Sequence, residues 1–461
     1  MSEIEITSLI AVVIVVGIFF VVCKLLQGRK NEDDVFDFER DYEAAMDKPS
    51  YKEDKPDSEV VHIGSSSNNQ NVFIESSAKH VFVCGTTGSG KTVALSNFLK
   101  AGADYDYPML IVDGKGDTDD GSILHLVKTI CAGRKIYVVN LNDAKGSDKY
   151  NPFKNTNTDV IKDMLINMTN WSEEHYKYNT ERYLQRLLKL MELNEIALSL
   201  ESLTNYLPTP SFSKLSRDLS NKKLITKEEN VADIELSRIS GEIAEAAAAR
   251  FATIKESDLG QIFDESGVDI YSALEENAVI LFILNPLLYP ETSALIGKLI
   301  VIDSKKAVSN FFRSKKKRIF YILDEVNVYA STALLDLVNK SRSANITCVL
   351  AAQSLSDLDN VSEQFKEQII ENCNNYIVLR QNSPTNAEHW SNVFGTRQTL
   401  QATYQISSDD GETKSTNFGS LRKTREYLYH PDEIKQLPMG TAIFLSRDKI
   451  YHTKVKIKKP F

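Results

Sequence analysis

The segment GTTGSGKT, from Gly85 to Thr92, has the residue types and spacing of a phosphate-binding loop, G-x-x-x-x-G-K-[S/T]. Its glycines let the backbone wrap around phosphates, so that N–H groups point inward at the start of a helix. The ammonium of Lys91 can reach the β- and γ-phosphates, and the Thr92 hydroxyl can ligate Mg²⁺. The loop lies between an apolar run, VFVC, and a helix-compatible run, VALSNFLK. This context predicts ATP binding by Gly85, Thr86, Thr87, Gly88, Ser89, Gly90, Lys91 and Thr92.

A nucleotide site of this kind also needs a carboxylate at the end of a nearby strand, and the segment RIFYILDE supplies two. Asp324 follows a hydrophobic run and is predicted to hold the Mg²⁺ together with Thr92. Glu325 comes directly after it and is predicted to orient and polarise the attacking water. Acidic residues often end strands, so this motif indicates a nucleotide site only in combination with the phosphate-binding loop.

Two further candidates follow from the order of strands and helices. The run ITCVLAAQ comes one helix after Asp324, which predicts Gln353 at the carboxyl end of a neighbouring strand, where it can contact the γ-phosphate or the water. Arg342 ends the intervening helix, and we expect it near the edge of its own site, from which it can serve the next subunit as an arginine finger. The alternatives are a surface glutamine and an ordinary charge at a helix end.

Two other charged features have weaker support. Asp113, in IVDGKGD, ends another strand-like run and can support the site indirectly, without contacting the nucleotide. The basic run RSKKKR, residues 313–318, can contact DNA phosphates, although a solvated loop is the simpler interpretation of such a run.

The elements that must position these residues indicate an α/β fold. Short β-branched runs alternate with helical stretches, and several are apolar on both faces, as strands in the middle of a helix-covered parallel sheet are. We therefore predict a doubly wound sheet in a motor domain formed by residues 61–153 and 267–461. The strand pattern disappears over residues 154–266, where Leu184, Leu187, Leu188 and Met191 recur at helical spacing. This segment is predicted to be an inserted all-α domain, with long crossover helices as the alternative.

Composition limits the possible functions. The 461 residues carry a net charge of −9, which argues against a protein coated over its whole surface by nucleic acid but leaves room for a local basic channel. The five cysteines form no CxxC pair, so we predict reduced, buried thiols and neither a zinc site nor a disulfide framework.

The N-terminal region predicts a membrane anchor followed by a linker. The run from Ile6 to Cys23 has no charged residue and just reaches the length of a transmembrane helix. Glu3 and Glu5 before the run argue against a cleaved signal peptide, and Lys24 after it predicts a cytoplasmic C-terminal side. Residues 1–28 are therefore predicted to be a single-pass anchor in the inner membrane, and the acidic residues 29–60 a linker.

The order of the motifs resembles that of the type IV secretion coupling proteins, the TraG/TraD-like ATPases of conjugation. The resemblance extends from about His80 to Leu445. Its segments are GTTGSGKT, IVDGKGD, NLNDAKGSDKYNPF, YILDE, SRSANITCVLAAQS, IIENCNNYIVLRQNSPTNAEHWSNVFG and HPDEIKQLPMGTAIFL.

The resemblance implies a RecA-like P-loop motor that usually forms a hexameric ring around DNA, with its all-α domain facing the transfer apparatus. It assigns the catalytic carboxylates to Asp324 and Glu325, the sensing glutamine to Gln353 and the inter-subunit arginine to Arg342. Two departures are expected: one membrane crossing where many members have two, and no C-terminal extension for docking the DNA-processing complex.

The sequence thus predicts a membrane-anchored ATPase, using ATP and Mg²⁺, that couples DNA and its relaxase complex to the proteins of a type IV secretion channel. A DNA or protein translocase of another P-loop motor family is one alternative. A membrane scaffold, in which nucleotide binding controls assembly, is another.

Overall fold

The computed structural model describes residues 59–76, 79–167, 173–312, 317–409 and 412–460. The apolar runs that end at the phosphate loop, Asp113, Asp324 and Gln353 all form strands, and five strands of the sheet are buried along their whole length because the sheet is covered. The strands are β1 (Val60–Ser66), β2 (Asn71–Glu75), β3 (His80–Cys84), β4 (Met109–Asp113), β5 (Ile136–Asn140), β6 (Val279–Ile283), β7 (Ile319–Leu323), β8 (Ile346–Ala352), β9 (Cys373–Val378), β10 (Thr396–Asp409), β11 (Glu412–Tyr427), β12 (Thr441–Ser446) and β13 (Tyr451–Ile457).

Helices connect the strands. They are α1 (Lys91–Asp104), α2 (Ile123–Ile130), α3 (Thr158–Asn167), α4 (Glu174–Leu193), α5 (Leu200–Tyr206), α6 (Thr209–Asn221), α7 (Lys227–Glu256), α8 (Ile270–Glu275), α9 (Pro290–Phe311), α10 (Thr332–Ser341), α11 (Leu355–Asp359), α12 (Glu363–Asn372), α13 (Pro384–Phe394) and α14 (Pro431–Lys435). Short 3₁₀ helices cover Asp258–Ile262, Val326–Tyr329 and Arg342–Ala344.

Eleven strands form one mixed sheet, in the order β2-β1-β13-β12-β9-β3-β8-β7-β4-β6-β5. The seven strands from β9 to β5 are parallel, as predicted, and the other four extend the sheet in antiparallel fashion. The composition of HIGSSSNNQN, residues 62–71, indicates a turn that closes the linker, and the structure has that turn only at residues 67–70. The first half of this segment, residues 62–66, forms the end of β1, because β13 offers that strand a partner near the other end of the chain.

Five helices, α3 to α7, occupy most of the segment predicted to be an all-α insert. The four apolar residues of α4 that predicted its inner face are buried: Leu184, Leu187, Leu188 and Met191. Helix α7 begins with a capping box, in which Thr226 and Glu229 satisfy each other's backbone N–H groups.

A buried ion-pair network lies at both points where the chain crosses between the sheet and this helical segment, and at the second crossing Lys306 lies 3.4 Å from Asp269. The ammonium of Lys306, on α9, lies 2.7 Å from a carboxylate oxygen of Asp303 and donates to the carbonyl of Pro152, 2.9 Å away. Tyr150 donates to the second Asp303 oxygen at 2.8 Å. Such networks are costly to break, since removing one partner leaves a buried charge unpaired.

Strands β10 and β11 form a separate compact unit. They pair as an antiparallel hairpin from Thr396↔Tyr427 to Asp409↔Glu412, with one irregularity after Tyr404.

The predicted burial of the cysteines is confirmed for the four that lie within the described residues: Cys84, Cys131, Cys348 and Cys373. The predicted anchor, residues 1–28, and all but the last two residues of the predicted linker lie outside the described residues. Among the helices that the structure describes, none has the length and apolarity needed to span a bilayer.

Candidate nucleotide-binding site

The glycine-rich loop connects β3 to the first turn of α1. Gly88 and Gly90 have φ angles of 74° and 110°, in the region that favours glycine. No side chain caps the helix that follows Gly90, so the N–H groups of its first turn are free to meet an anion. A Cβ at Gly85 would lie 2.6 Å from the hydroxyl of Ser89 and 2.8 Å from Cβ of Leu379. The loop therefore has the backbone of a phosphate cradle.

The two carboxylates lie directly opposite this loop. Asp324 follows β7, which is separated from the loop strand β3 by β8 alone. The Lys91 ammonium lies 3.3 Å from Oδ1 of Asp324 and forms an ion pair with Glu325. All three side chains are at most one-tenth exposed, and water screens such interactions little. The geometry thus brings together the lysine and both carboxylates that the sequence assigned to the site.

The charges of this cluster shift one another's pKa values. Burial raises the pKa of Asp324, although the Lys91 charge opposes that rise. Burial by itself lowers the pKa of Lys91, but the two carboxylates outweigh it, and the pKa of Lys91 is raised. Lys91 therefore stays charged at neutral pH, as a phosphate-binding lysine must.

Gln353 joins the two halves of the site. Its side-chain amide donates to Oε1 of Glu325 at 3.0 Å. Its carbonyl oxygen accepts a hydrogen bond of 3.2 Å from the hydroxyl of Thr87, within the loop. The predicted location of Gln353, at the carboxyl end of β8, is confirmed. The Gln353 side chain therefore connects Thr87 of the loop directly to Glu325.

The backbone beneath the carboxylates is unusual, and the sequence interpretation missed what supports it. Glu325 has φ 49° and ψ 52°, in the left-handed region. The hydroxyl of Tyr329 donates to the carbonyl of Asp324 at 2.9 Å. A Cβ at Gly114 would lie 2.8 Å from that carbonyl oxygen and 2.8 Å from Cβ of Glu325, so this position excludes a side chain. The glycines of IVDGKGD are the sequence feature that could have revealed this close approach.

Asp113 lies behind the cluster, at the end of β4. Its carboxylate accepts the backbone N–H of Lys115 at 2.9 Å and that of Gly116 at 3.2 Å. Burial, followed by the charge of Asp324, raises the pKa of Asp113 to about 7. The charge on Asp113 therefore depends on the charge of the neighbouring Asp324.

Arg342 lies elsewhere. It begins the 3₁₀ turn that precedes β8, at the amino edge of the parallel strands, whereas the loop and carboxylates lie at the carboxyl edge. The expectation that Arg342 lies near the edge of its own site was wrong, because α10 runs back across the sheet before the chain turns. A span of seven residues in β8 separates Arg342 from Gln353, about 23 Å at the rise of a strand.

Only the end of the basic run at 313–318 lies within the described residues. Lys317 pairs with Asp106 at 2.8 Å, and Arg318 is half-buried. Its contact with DNA stays a prediction.

Residues 71–458 match the family described as the type IV secretion-system coupling protein DNA-binding domain. This match covers more than half of the chain, so the protein belongs to that family. The resemblance drawn from the motifs is confirmed.

Solved structures with the same fold include the bacterial conjugative coupling protein TrwB lacking its first 70 residues. That chain has a TM-score of 0.61 and 17% identity, with 88% of this chain and 89% of that one covered. TrwB in complex with ADP and Mg²⁺ has a TM-score of 0.58 and 17% identity, over 86% and 89% of the two chains. VirB4 of Thermoanaerobacter pseudethanolicus has a TM-score of 0.54 and 10% identity, over 88% and 97%.

A further relative is an uncharacterized protein of Mycoplasma pneumoniae. It is 30% identical over 101 residues, which are 22% of this chain and 67% of the relative.

The donors at the site fit Mg²⁺. Thr92 and Asp324 offer a hydroxyl and a carboxylate, and Mg²⁺ prefers one or two such oxygens together with nucleotide phosphates and water. Within the described ranges, no group of three or more His, Cys, Asp or Glu residues could hold a metal ion. The arrangement suits an ion that binds together with a nucleotide.

Proposed function

We propose that this protein is a coupling ATPase, which uses ATP and Mg²⁺ to drive a DNA substrate into a type IV secretion channel. The observation that carries the proposal is the link between the phosphate loop and the water-orienting carboxylate, formed by Lys91, Gln353 and Glu325. The family match supports the coupling role, since it extends over nearly the whole described chain. TrwB, which has the same fold, has been solved with ADP and Mg²⁺, and that complex supports the choice of nucleotide and ion here.

The roles of the residues follow from their positions. The loop amides and Lys91 would bind the phosphates, while Thr92 and Asp324 would hold Mg²⁺, which neutralises charge on the phosphates when it is bound. Glu325 would orient water and accept its proton. Gln353 would sense the γ-phosphate, because it contacts both Thr87 and Glu325.

The proposal includes an assembly. A ring of identical subunits, six as in the resemblance, would bring Arg342 of one subunit to the phosphates of the next. The distance of Arg342 from its own site supports action between subunits, since the side chain cannot bridge the sheet. Residues 1–28 would anchor the ring in the inner membrane with the motor in the cytoplasm. The all-α insert, residues 154–266, would face the channel proteins or dock the relaxase complex.

Steady-state phosphate release by the full chain in detergent tests the proposal. We expect slow hydrolysis alone and faster hydrolysis with single- or double-stranded DNA, with the variant Glu325→Gln as the inactive control. Equal rates with and without DNA would contradict a DNA motor and favour another translocase. Long-lived, stoichiometric bound nucleotide with little turnover would favour the scaffold alternative.

A further inference from the structure

The position of Arg342 depends on its backbone. The side chain is exposed, and among the described residues it forms no hydrogen bond or ion pair that would hold it. Arg342 follows the last residue of α10, and Asn345, with a φ angle of 60°, ends the turn. Whatever fixes the last turn of α10 therefore determines where the guanidinium can reach.

A buried histidine fixes that turn. Nε2 of His80 lies 2.8 Å from the carbonyl oxygen of Val338, which is four residues before Arg342. Nδ1 of His80 accepts the backbone N–H of Cys348, on β8, at 3.1 Å. Because Nδ1 accepts, the ring proton is on Nε2, and His80 donates it to Val338. The ring thus bridges the helix before Arg342 and the strand after it.

The ring is a neutral, fixed bridge at physiological pH. His80 is 4% exposed, and burial lowers its pKa to about 4, with a smaller contribution from the nearby positive charge of Arg342. A neutral imidazole keeps one donor and one acceptor, as the two contacts require.

His80 is also the first residue of β3, the strand that ends at the phosphate loop. The strand has parallel partners on both sides from Val81 to Cys84, so we expect it to move together with the sheet. One strand therefore carries a subunit's own nucleotide loop at one end and, at the other end, the contact that holds the arginine turn.

We infer that His80 is a positioning residue for Arg342. It keeps the arginine that a subunit offers to its neighbour at a fixed location relative to the subunit's own phosphate loop. This inference rests on the proposed function, in which Arg342 acts between subunits.

If His80 were an ordinary core histidine, its substitution would have other consequences. Its loss would lower the stability of the subunit and disturb the subunit's own site through β3. A positioning residue instead causes a defect at the neighbour's site, and subunits that carry a well-placed arginine can repair it.

The experiment uses the full chain and the variants His80→Leu, His80→Gln and Arg342→Ala. We expect His80→Leu to bind a fluorescent ATP analogue within about twofold of the parent, while its rate of phosphate release falls about 10- to 100-fold, the usual cost of a misplaced catalytic group. His80→Gln, which keeps a donor and an acceptor, is expected to lose less. His389→Leu is the matched control, because it removes a half-buried imidazole from α13, away from Arg342.

Mixing the subunits separates the two interpretations. His80→Leu subunits have an intact phosphate loop, and Lys91→Ala subunits have a well-placed Arg342, so co-assembled rings should regain activity. The double variant His80→Leu/Arg342→Ala should lose no more activity than Arg342→Ala alone. Mixed rings without regained activity, or losses that multiply in the double variant, would overturn the inference.

Results that contradict the proposed function can be distinguished from results that contradict only the role of His80. If Arg342→Ala hydrolyses ATP at the parent rate, the inter-subunit role of Arg342 fails, and the inference about His80 fails with it. If Arg342→Ala is inactive and rescued by mixing while His80→Leu is not, only the positioning role of His80 is wrong. Should His80→Leu fail to assemble, the same comparison is made with His80→Gln.

Discussion

The two edges of the parallel sheet differ in whether the functional side chains there contact other side chains of the same chain. At the carboxyl edge, Lys91, Glu325 and Gln353 contact one another, so the binding groups are brought together without any partner. At the amino edge, Arg342 is exposed, and His80 contacts the last turn of the helix that leads to it. Under the proposed function, one chain brings the binding groups together, whereas full catalysis would need Arg342 from a second copy. Each prediction below tests one side of this difference.

Lys91→Ala should have the largest effect, because it removes the main phosphate-binding charge. Phosphate release should fall by about 1,000-fold or more, comparable with the loss of a strong transition-state contact. The variant should also unfold at a lower temperature, since the buried carboxylates of Asp324 and Glu325 lose their counter-ion. Thermal unfolding of Lys91→Ala/Glu325→Gln is the control and should recover part of that loss. An unchanged Tm for Lys91→Ala would mean that the ion pair contributes nothing to stability.

Arg342→Ala should bind ATP normally and hydrolyse it about 1,000-fold more slowly, as when an arginine finger is removed. Mixing it with Lys91→Ala subunits should restore activity, because some interfaces then pair an intact loop with an intact arginine. Phosphate release by mixed rings measures this, with the double variant in one chain as the inactive control. Mixed rings that stay inactive despite confirmed co-assembly would remove Arg342 from the mechanism, and Arg380 and Arg422 would be the next candidates.

Glu325→Gln tests the carboxyl edge without removing its charge partner Lys91. ATP should bind within a few-fold of the parent, and turnover should fall about 100- to 1,000-fold through loss of the general base. Nucleotide binding and single-turnover hydrolysis together separate the two effects. Near-normal turnover in a variant that binds ATP would show that another group orients the water.

Asp113→Asn should have the smallest effect, and it concerns stability. Because burial raises the pKa of Asp113 to about 7 in the folded state, the residue contributes stability that is full below its unfolded pKa, near 4, and is lost as the pH rises through 7. The free energy of unfolding of the Asn variant should therefore decline less between pH 4 and 7 than that of the parent. The difference is at most about 4 kcal/mol, since each unit of pKa difference corresponds to about 1.4 kcal/mol. Denaturant unfolding at several pH values measures it. Parallel curves for the two proteins would show that folding does not change the pKa of Asp113.

The sequence predicted the carboxyl-edge site well because each of its residues ends a strand. Parallel strands bring such positions to one edge, so the loop, Asp324, Glu325 and Gln353 could be placed together from their order alone. Tyr329 was not predictable in this way, since its hydrogen bond to Asp324 depends on the left-handed turn at Glu325.

The location of Arg342 could have been inferred from the direction of α10. Because this helix connects two parallel strands, it must return to the amino edge of the sheet before β8 begins, and the sequence interpretation did not take this into account. Strand β1 was missed because one of its partners, β13, lies near the other end of the chain, and β2 pairs only with β1. Local composition carries no information about such pairing, and β1, with Gly64 and a serine-rich end, has the composition of a turn.

The order of strands also determines when the nucleotide site can form during synthesis. Strand β3 is made early, but both of its neighbours, β8 and β9, are encoded more than 260 residues later, as the pair Val81↔Val349 shows. At a synthesis rate of roughly 5–20 residues per second, the loop strand waits about 13 to 50 s for its first partner. During that time its apolar residues are exposed to other chains and to chaperones. A nascent motor therefore has no nucleotide site until nearly all of its sheet has been made, and ATP can stabilise only chains that have folded almost completely.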